Sequence, residues 1–440
     1  MTVLRKLGFV VLVGVVCLLV YGRIPAQAAP DDVTAVPSPG WQTAYALTNT
    51  TFGAQIPAIA ASADGSEIIV AYNRAINVSV GNSDPWYVQS LNGSETWVNA
   101  GPIYTSDGID SANVSVAIDS SNRGHAVWVE GANLVYYLRE DQWGTGTPKN
   151  LSTMTSPLQA ADPDVATTGN IIDVVWSQLV DTFPPTNPNI WHARSTDGGT
   201  TWGSPTKVYE SQATSNFLDA VSDSSANLYV VWQENERLGG GGDLPIILFA
   251  QRVNGTWSTP VKITDQANIP ASNGAYRPQI TLNGSTLYVT FTVAQTDGFQ
   301  VEALQSVYGM RCNSQCQQLG NWSPLDNPIS GVFVEISDQG PGFIHSSLLP
   351  HGRCLVNFYH GANTDISSNN EIIWHVSDCA GWGNPQQDTF VENTERVLYP
   401  SATSPTGWQI YLAYQRGTGS NAEIYFQVFV PGIYLPAVLK

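Results

Sequence analysis

The chain has 440 residues with 18 basic and 36 acidic side chains, a formal net charge of −18, and only 12% charged residues. So acidic a surface repels phosphate backbones and disfavours nucleic acid as a partner. Apolar residues make up 42% of the chain, yet no long stretch beyond the N-terminal run has helical period, which excludes a helical bundle.

Arg5 and Lys6 precede an apolar run from Leu7 to Tyr21, and Ala26-Gln27-Ala28 follows as a small-residue cleavage site. This order predicts a secretory signal peptide over 1–28, with an uncleaved anchor as the alternative. Cleavage removes Arg5, Lys6 and Arg23, so 15 of the 18 basic residues remain against 36 acidic ones, a net of −21. The expected destination is secreted, extracellular or cell-surface, with a linker over 29–40 and no later membrane span. Four cysteines remain, and an even count in an exported chain favours disulfides. Cys312 and Cys316 flank one tight turn, and Cys354 and Cys379 fall on strands of one expected hairpin, so two local bridges are predicted.

From residue 41 onward the chain repeats. Short apolar runs end on an aromatic residue at Tyr72, Trp128, Trp176, Trp232, Phe291, Phe358 and Tyr414, at intervals of 56, 48, 56, 59, 67 and 56 residues. In phase with them lie Trp41, Trp97, Trp143, Trp202, Trp257, Trp322 and Trp382. Such a period marks a supersecondary unit that buries its apolar face only by stacking on neighbours. Each unit reads as four strands, the first opening on Pro57, Pro163, Pro278 or Pro400 in four cases, and the second ending on the aromatic marker.

The predicted fold class is all-β, a seven-bladed β-propeller over 41–432 with units starting near 55, 111, 161, 216, 276, 342 and 398. No fourth-strand tryptophan follows Tyr414, and Trp41 supplies it: the strand at 41–49 is expected to close the last unit. A six-bladed ring, with the irregular region Val301–Gly342 as an insertion, is the alternative. The tail 433–440 resembles short endings found on exported bacterial proteins.

Ser195-Thr196-Asp197-Gly198-Gly199-Thr200-Thr201-Trp202 resembles the Asp-box turn of the sialidase and BNR-repeat families, and Ser90–Trp97 is similar with Asn92 in place of the aspartate. In that family the box, here Ser195, Asp197, Gly199 and Trp202, is structural and faces away from the active site. Gln55-Ile56-Pro57-Ala58-Ile59 resembles the sialidase opening Arg-Ile-Pro-Ala-Leu, but Gln55 stands where the family has an arginine for the substrate carboxylate. A neutral amide cannot make that bidentate, charge-assisted pair.

Residues just after the markers are expected to gather at the central mouth. Asp84, Glu130 and Glu234 are the catalytic candidates, since a glycosidase needs two carboxyl groups at a set separation. Arg74, Gln178, Arg237, His360 and Arg416 are the ligand-binding candidates, and Trp86 and Tyr87 could stack on a sugar. The segments Leu179–Pro188, Gln233–Leu244 and Tyr359–Asn370 read as long loops, which are often functional. No cofactor or metal is expected; the acidic pairs Asp107/Asp110 and Asp162/Asp164 are calcium candidates that read better as solvated turns. Absence of the arginine favours a propeller that binds glycan or another extracellular ligand without catalysis. An exo-acting glycoside hydrolase and a protein-interaction scaffold are the rival functions, and the sequence leaves oligomeric state open.

Overall fold

A computed structural model describes residues 40–430, apart from inter-strand segments of which 377–396, 179–188, 153–159 and 363–369 are the longest. The signal peptide, most of the linker, the C-terminal tail, Cys379 and Trp382 lie outside the described residues. The fold is an all-β propeller, with 3₁₀ turns of three or four residues as the helical elements among the described residues.

The repeating unit is an antiparallel meander. In the third unit Ala160–Thr168, Ile171–Gln178, Asn189–Ser195 and Thr206–Tyr209 lie side by side in chain order. The first strand of each unit packs against the first strand of the next, from Ala54–Ala61 through Ser111–Ile118, Ala160–Thr168, Thr214–Ser222, Asn273–Asn283 and Ser346–His351 to Val397–Thr403, which returns to Ala54–Ala61. These innermost strands encircle an axis. Hydrogen bonding divides the ring into six sheets of three or more strands, the count of the alternative reading. The meander nevertheless recurs seven times, because Ile329–Phe333 joins the fifth and sixth units into one eight-stranded sheet. That splice lies in the region whose irregularity is visible in the sequence.

Closure is as expected. Gly40 and Trp41 pair with Val430 and Phe429, and Tyr45 and Ala46 with Phe426 and Tyr425. Glu423 ties the following turn down, accepting hydrogen bonds from Thr48 Oγ1 and from Thr50 N at 2.7 Å.

The core is not central but distributed over the seams. The larger apolar clusters are shared by two consecutive units: one joins Val70 and Tyr72 to Ala413 and Phe426, another joins Val230 and Trp232 to Val175 and Ile190. The aromatic markers are the largest pieces of this core, all at most 4% exposed, so they serve packing and offer no sugar platform. The in-phase tryptophans reach across the seams. Trp97 meets Phe426 at 4.8 Å, Trp143 meets Tyr87 at 4.5 Å, and Trp202 meets Tyr137 at 4.7 Å. Trp257 meets His192 at 5.3 Å and Trp322 meets Phe249 at 5.0 Å. Each contact is edge-to-face on a ring from the preceding unit's third strand, the arrangement favoured by ring quadrupoles. Trp41 also stands edge-on, at 5.7 Å and 83°, but against the marker Phe358 on the second strand of its predecessor, Cys354–Ala362.

Three expectations need correction. Pro57, Pro163, Pro278 and Pro400 lie inside their strands, not at the first position. They are tolerated because the ladder skips them: the register jumps from Gln55 to Ala58, for example. The segment Gln233–Leu244 is largely a long hairpin, its pairing running out to Arg237 and Asp243. Asp162 and Asp164 lie within an inner strand and not in a solvated turn, whereas Asp107 lies outside the described residues. The bridge Cys312–Cys316 is formed.

Deleting residues 40–48 would strip the outer edge of the last sheet and empty the space between Phe358 and Phe429. Thermal unfolding followed by circular dichroism should show a midpoint several degrees lower; an unchanged midpoint would exclude non-covalent closure.

Candidate axial site

Six inner strands share one irregularity. The register jumps at Gln55/Ala58, Ala112/Ser115, Ala161/Asp164, Asn216/Asp219, Tyr276/Gln279 and Leu398/Ser401. Within each gap one non-glycine residue has positive φ: Ile56 (51°), Asn113 (51°), Asp162 (48°), Phe217 (49°), Arg277 (46°) and Tyr399 (54°). Such a conformation costs about 1–3 kcal/mol per residue and persists only where the surroundings enforce it. A bulge turns one side chain off the regular alternation. All six of these side chains line a single pocket of about 300 Å³.

Neighbouring units compensate the backbone groups that the bulges strand. Ile56 N donates to Gln415 Oε1 at 3.2 Å, Arg277 N to Gln233 Oε1 at 3.2 Å, and Phe217 N to Asp162 Oδ2 at 2.9 Å. Three residues further along, a second tier of amides repeats the device. Ala220 N donates to Asp164 Oδ2 at 2.9 Å, Ile280 N to Asp219 Oδ2 at 2.6 Å, and Ile59 N to Ser401 Oγ at 3.1 Å. Ser115 Oγ completes Asp164 from the other side at 2.8 Å. Side chains of one unit thus hold the strained backbone of the next.

The carboxyls here are unusual. Asp164 and Asp219 hydrogen-bond each other, which requires a proton between them; burial raises both, and the Asp164 charge raises Asp219 further. Protein surrounds these groups closely, yet neither residue is fully buried. In the pocket itself, burial also raises Asp162, opposed by the Phe217 amide and the Arg277 charge. Asn113 Nδ2 donates to Asp162 Oδ1 at 3.3 Å, and the Arg277 guanidinium lies 4.4 Å over the Phe217 ring. A cation, a carboxyl, an amide and two aromatic rings therefore converge on one small volume, a lining suited to a ring bearing several hydroxyls.

The residues singled out from the sequence lie elsewhere. Glu130 Oε2 accepts from Trp128 Nε1 and Ser111 Oγ, each at 2.7 Å. Glu234 accepts from Trp232 Nε1 at 3.1 Å, Ser215 Oγ at 2.5 Å and Ser211 Oγ. Gln178 Oε1 accepts from Trp176 Nε1 at 2.8 Å. Residues two beyond a marker thus anchor the buried indole N–H, a structural duty that removes Glu130 and Glu234 from the mouth. Asp84 is buried opposite Arg74 in the strand register, and Arg74 covers Trp86 at 4.1 Å. Tyr87 is held against Trp143, and Arg416 lies 4.9 Å over Tyr425. Arg237, His360 and Cys354 sit on described strands, but their side chains lie outside the described residues.

Gln55 donates to Gly419 O at 3.4 Å, while its neighbour Ile56 faces the pocket and the pocket's guanidinium comes from Arg277. Sequence reasoning passed over Arg277 and Tyr399, and took Asp162 only as part of an acidic pair. The signal was present: each immediately precedes one of the inner-strand prolines.

The Ser195–Trp202 turn closes on itself. Asp197 Oδ1 accepts from Thr201 N and Ser195 Oγ at 2.8 Å each, and Gly199 N donates to Ser195 Oγ at 2.9 Å. The hydrogen bonds from Thr201 and Ser195 pull Asp197 down to about 2. Asn92 reproduces the pattern, accepting from Thr96 N at 2.9 Å. Its carbonyl supplies the acceptor, which is why asparagine suffices there.

No protein-family model matches the chain, and no curated protein matches it by sequence. Solved structures are similar in fold. A PL25 ulvan lyase, a polysaccharide lyase, aligns with a TM-score of 0.55 at 11% identity, over 86% of this chain and 94% of its own. A Hadza microbial sialidase, Hz136, aligns at 14% identity with a TM-score of 0.48, over 86% of this chain and 66% of its own. Trypanosoma rangeli sialidase aligns at 12% identity with a TM-score of 0.45, over 88% and 58%. The chain therefore spans less than two thirds of those sialidases, and identities this low speak to fold alone.

Two outcomes follow. Glu234→Ala should cost about 1–3 kcal/mol in urea unfolding, since it strands buried donors, and a neutral effect would refute the anchoring role. Asp164 and Asp219 titrate above the ordinary aspartate value when folded, so their contribution is complete below it and fades as pH rises. Asp219→Asn should flatten the decline of stability with rising pH above that value, and an unaltered slope would show that the pair shares no proton.

Proposed function

We propose that this chain is a secreted, sialidase-like propeller that binds a glycan in the axial pocket without cleaving it. The observation that carries this reading is the convergence of Asn113, Asp162, Phe217, Arg277 and Tyr399, each held on a bulge of a different inner strand. Strain maintained at equivalent positions of six units is a cost that packing alone does not require. Rings and hydrogen-bonding groups at one site match the two faces of a sugar, apolar C–H above and hydroxyls around the edge. A polysaccharide lyase of similar fold supports a saccharide as the ligand class. The same lyase has been solved bound to -[GlcA(1-4)Rha3S]-.

Hydrolysis is disfavoured by the carboxyl inventory. A glycosidase places two carboxyl groups about 5–9.5 Å apart across the scissile bond. Asp162 is the one carboxyl lining the pocket among the described residues, and Asp164 and Asp219 are joined to each other beneath it. The rival, an exo-acting hydrolase, would need Asp162 as its acid. A scaffold for protein partners is the third reading, favoured by an empty glycan screen together with a single recovered partner.

Screening wild type on a glycan array, then titrating a hit by calorimetry, tests the proposal. Asp162→Asn and Arg277→Gln should each weaken binding at least tenfold, about 1.4 kcal/mol, with Asp162→Asn leaving the thermal midpoint near that of wild type. Absence of any glycan hit would overturn the reading. So would turnover of fluorogenic glycosides that disappears in Asp162→Asn.

A further inference from the structure

The seam between the second and third units carries a cleft far from the axial strands in the order of each sheet. Its floor is the outermost strand of the second unit, Lys149–Asn150, and its far wall is the Ser195–Trp202 turn with the segment that follows. Two compartments, of about 190 and 300 Å³, adjoin there, and Lys149 and Trp202 line both.

The walls are fixed. Arg139 Nη1 donates to Gly198 O at 3.1 Å and to Thr200 Oγ1 at 3.0 Å, bolting the turn of the third unit to the second. Its remaining donors grip Asp141 at 2.7 and 2.8 Å, which neutralises the guanidinium. Gly199, at φ +80°, lets the turn press so close that a Cβ would come within 1.7 Å of Tyr137 Oη. Trp202 is propped edge-on against Tyr137 and keeps part of its surface exposed. Lys149 is exposed and has no ionic partner among the described residues, in a chain where acids outnumber bases two to one. Acids on the cleft's walls are committed: Asp141 to Arg139, and Asp197 to its own turn.

We propose that this cleft is a second saccharide site, specific for an acidic sugar polymer. Lys149 pairs with a carboxylate or sulfate, Trp202 supplies an aromatic surface to the ring, and the two compartments take consecutive sugar units. An uncommitted lysine in an acidic surface selects an anion, and a propped indole with polar neighbours selects a ring-shaped, hydroxylated one. The ligand class extends the glycan reading of the axial pocket, but the site is separate from it and is tested separately.

The probe is a galacturonate hexamer, with maltohexaose as the neutral control, titrated into the full exported chain and read by calorimetry and tryptophan fluorescence. Wild type should bind the acidic hexamer and not the neutral one, with affinity falling as salt is added. Lys149→Gln should weaken binding at least tenfold and Lys149→Glu should abolish it, both with wild-type melting behaviour. Asp162→Asn, in the axial pocket, should leave this binding unchanged. No binding of the acidic hexamer, equal binding by Lys149→Glu, or equal binding of the neutral hexamer would overturn the proposal. Loss in Asp162→Asn with retention in Lys149→Glu would overturn it too, placing the acidic sugar on the axis and leaving the axial reading intact.

Discussion

The contact on which this architecture rests is an aromatic edge-to-face pair that recurs at five seams among the described residues, in which a tryptophan at the rim of one unit meets a ring on the third strand of its predecessor. A single meander has one apolar face too many and would not stand alone in water. The pair fixes both the distance and the tilt between sheets, because the ring quadrupole penalises face-to-face stacking. At the closing seam a related pair is made, Trp41 edge-on against the second-strand ring of Phe358.

With the seams set from the periphery, the innermost strands are free to be irregular. Their bulges leave amides unpaired, and the answer comes from the adjacent unit: Gln415, Gln233, Asp164 and Asp219 each accept from the next strand's backbone. The axial region is therefore a product of neighbouring pairs and not of any single repeat. That explains why its side chains differ so widely, from Ile56 to Arg277, while their backbone conformation is the same. Geometry is repeated; chemistry is written on top of it.

This division also explains what could be read from the sequence. The two aromatic series mark the seams, so the closing strand was legible, and the close spacing of Cys312 and Cys316 made their bridge legible too. The splice of two units by Ile329–Phe333 was visible only as irregularity, since pairing partners of an edge strand leave no local mark. The site was not legible from the markers. Glu130 and Glu234 have the right residue type at a strand end, but a buried indole N–H needs an acceptor, and they supply it. The lining of the axial pocket was hidden because a bulge inverts the simple alternation, turning the residue before each proline toward the pocket.

The closing strand joins residues separated by almost the whole chain, Trp41 to Phe429. Translation delivers a polypeptide from its N-terminus, so this segment emerges well before its partner and must wait for it. Until then the earlier sheets can assemble in succession, but the terminal one presents a bare edge capable of recruiting a strand from another nascent molecule. A long-range closure of this kind makes the final folding step slow. It also makes protection of that edge during folding, more than the strength of any single sheet, the determinant of how much folded protein is recovered.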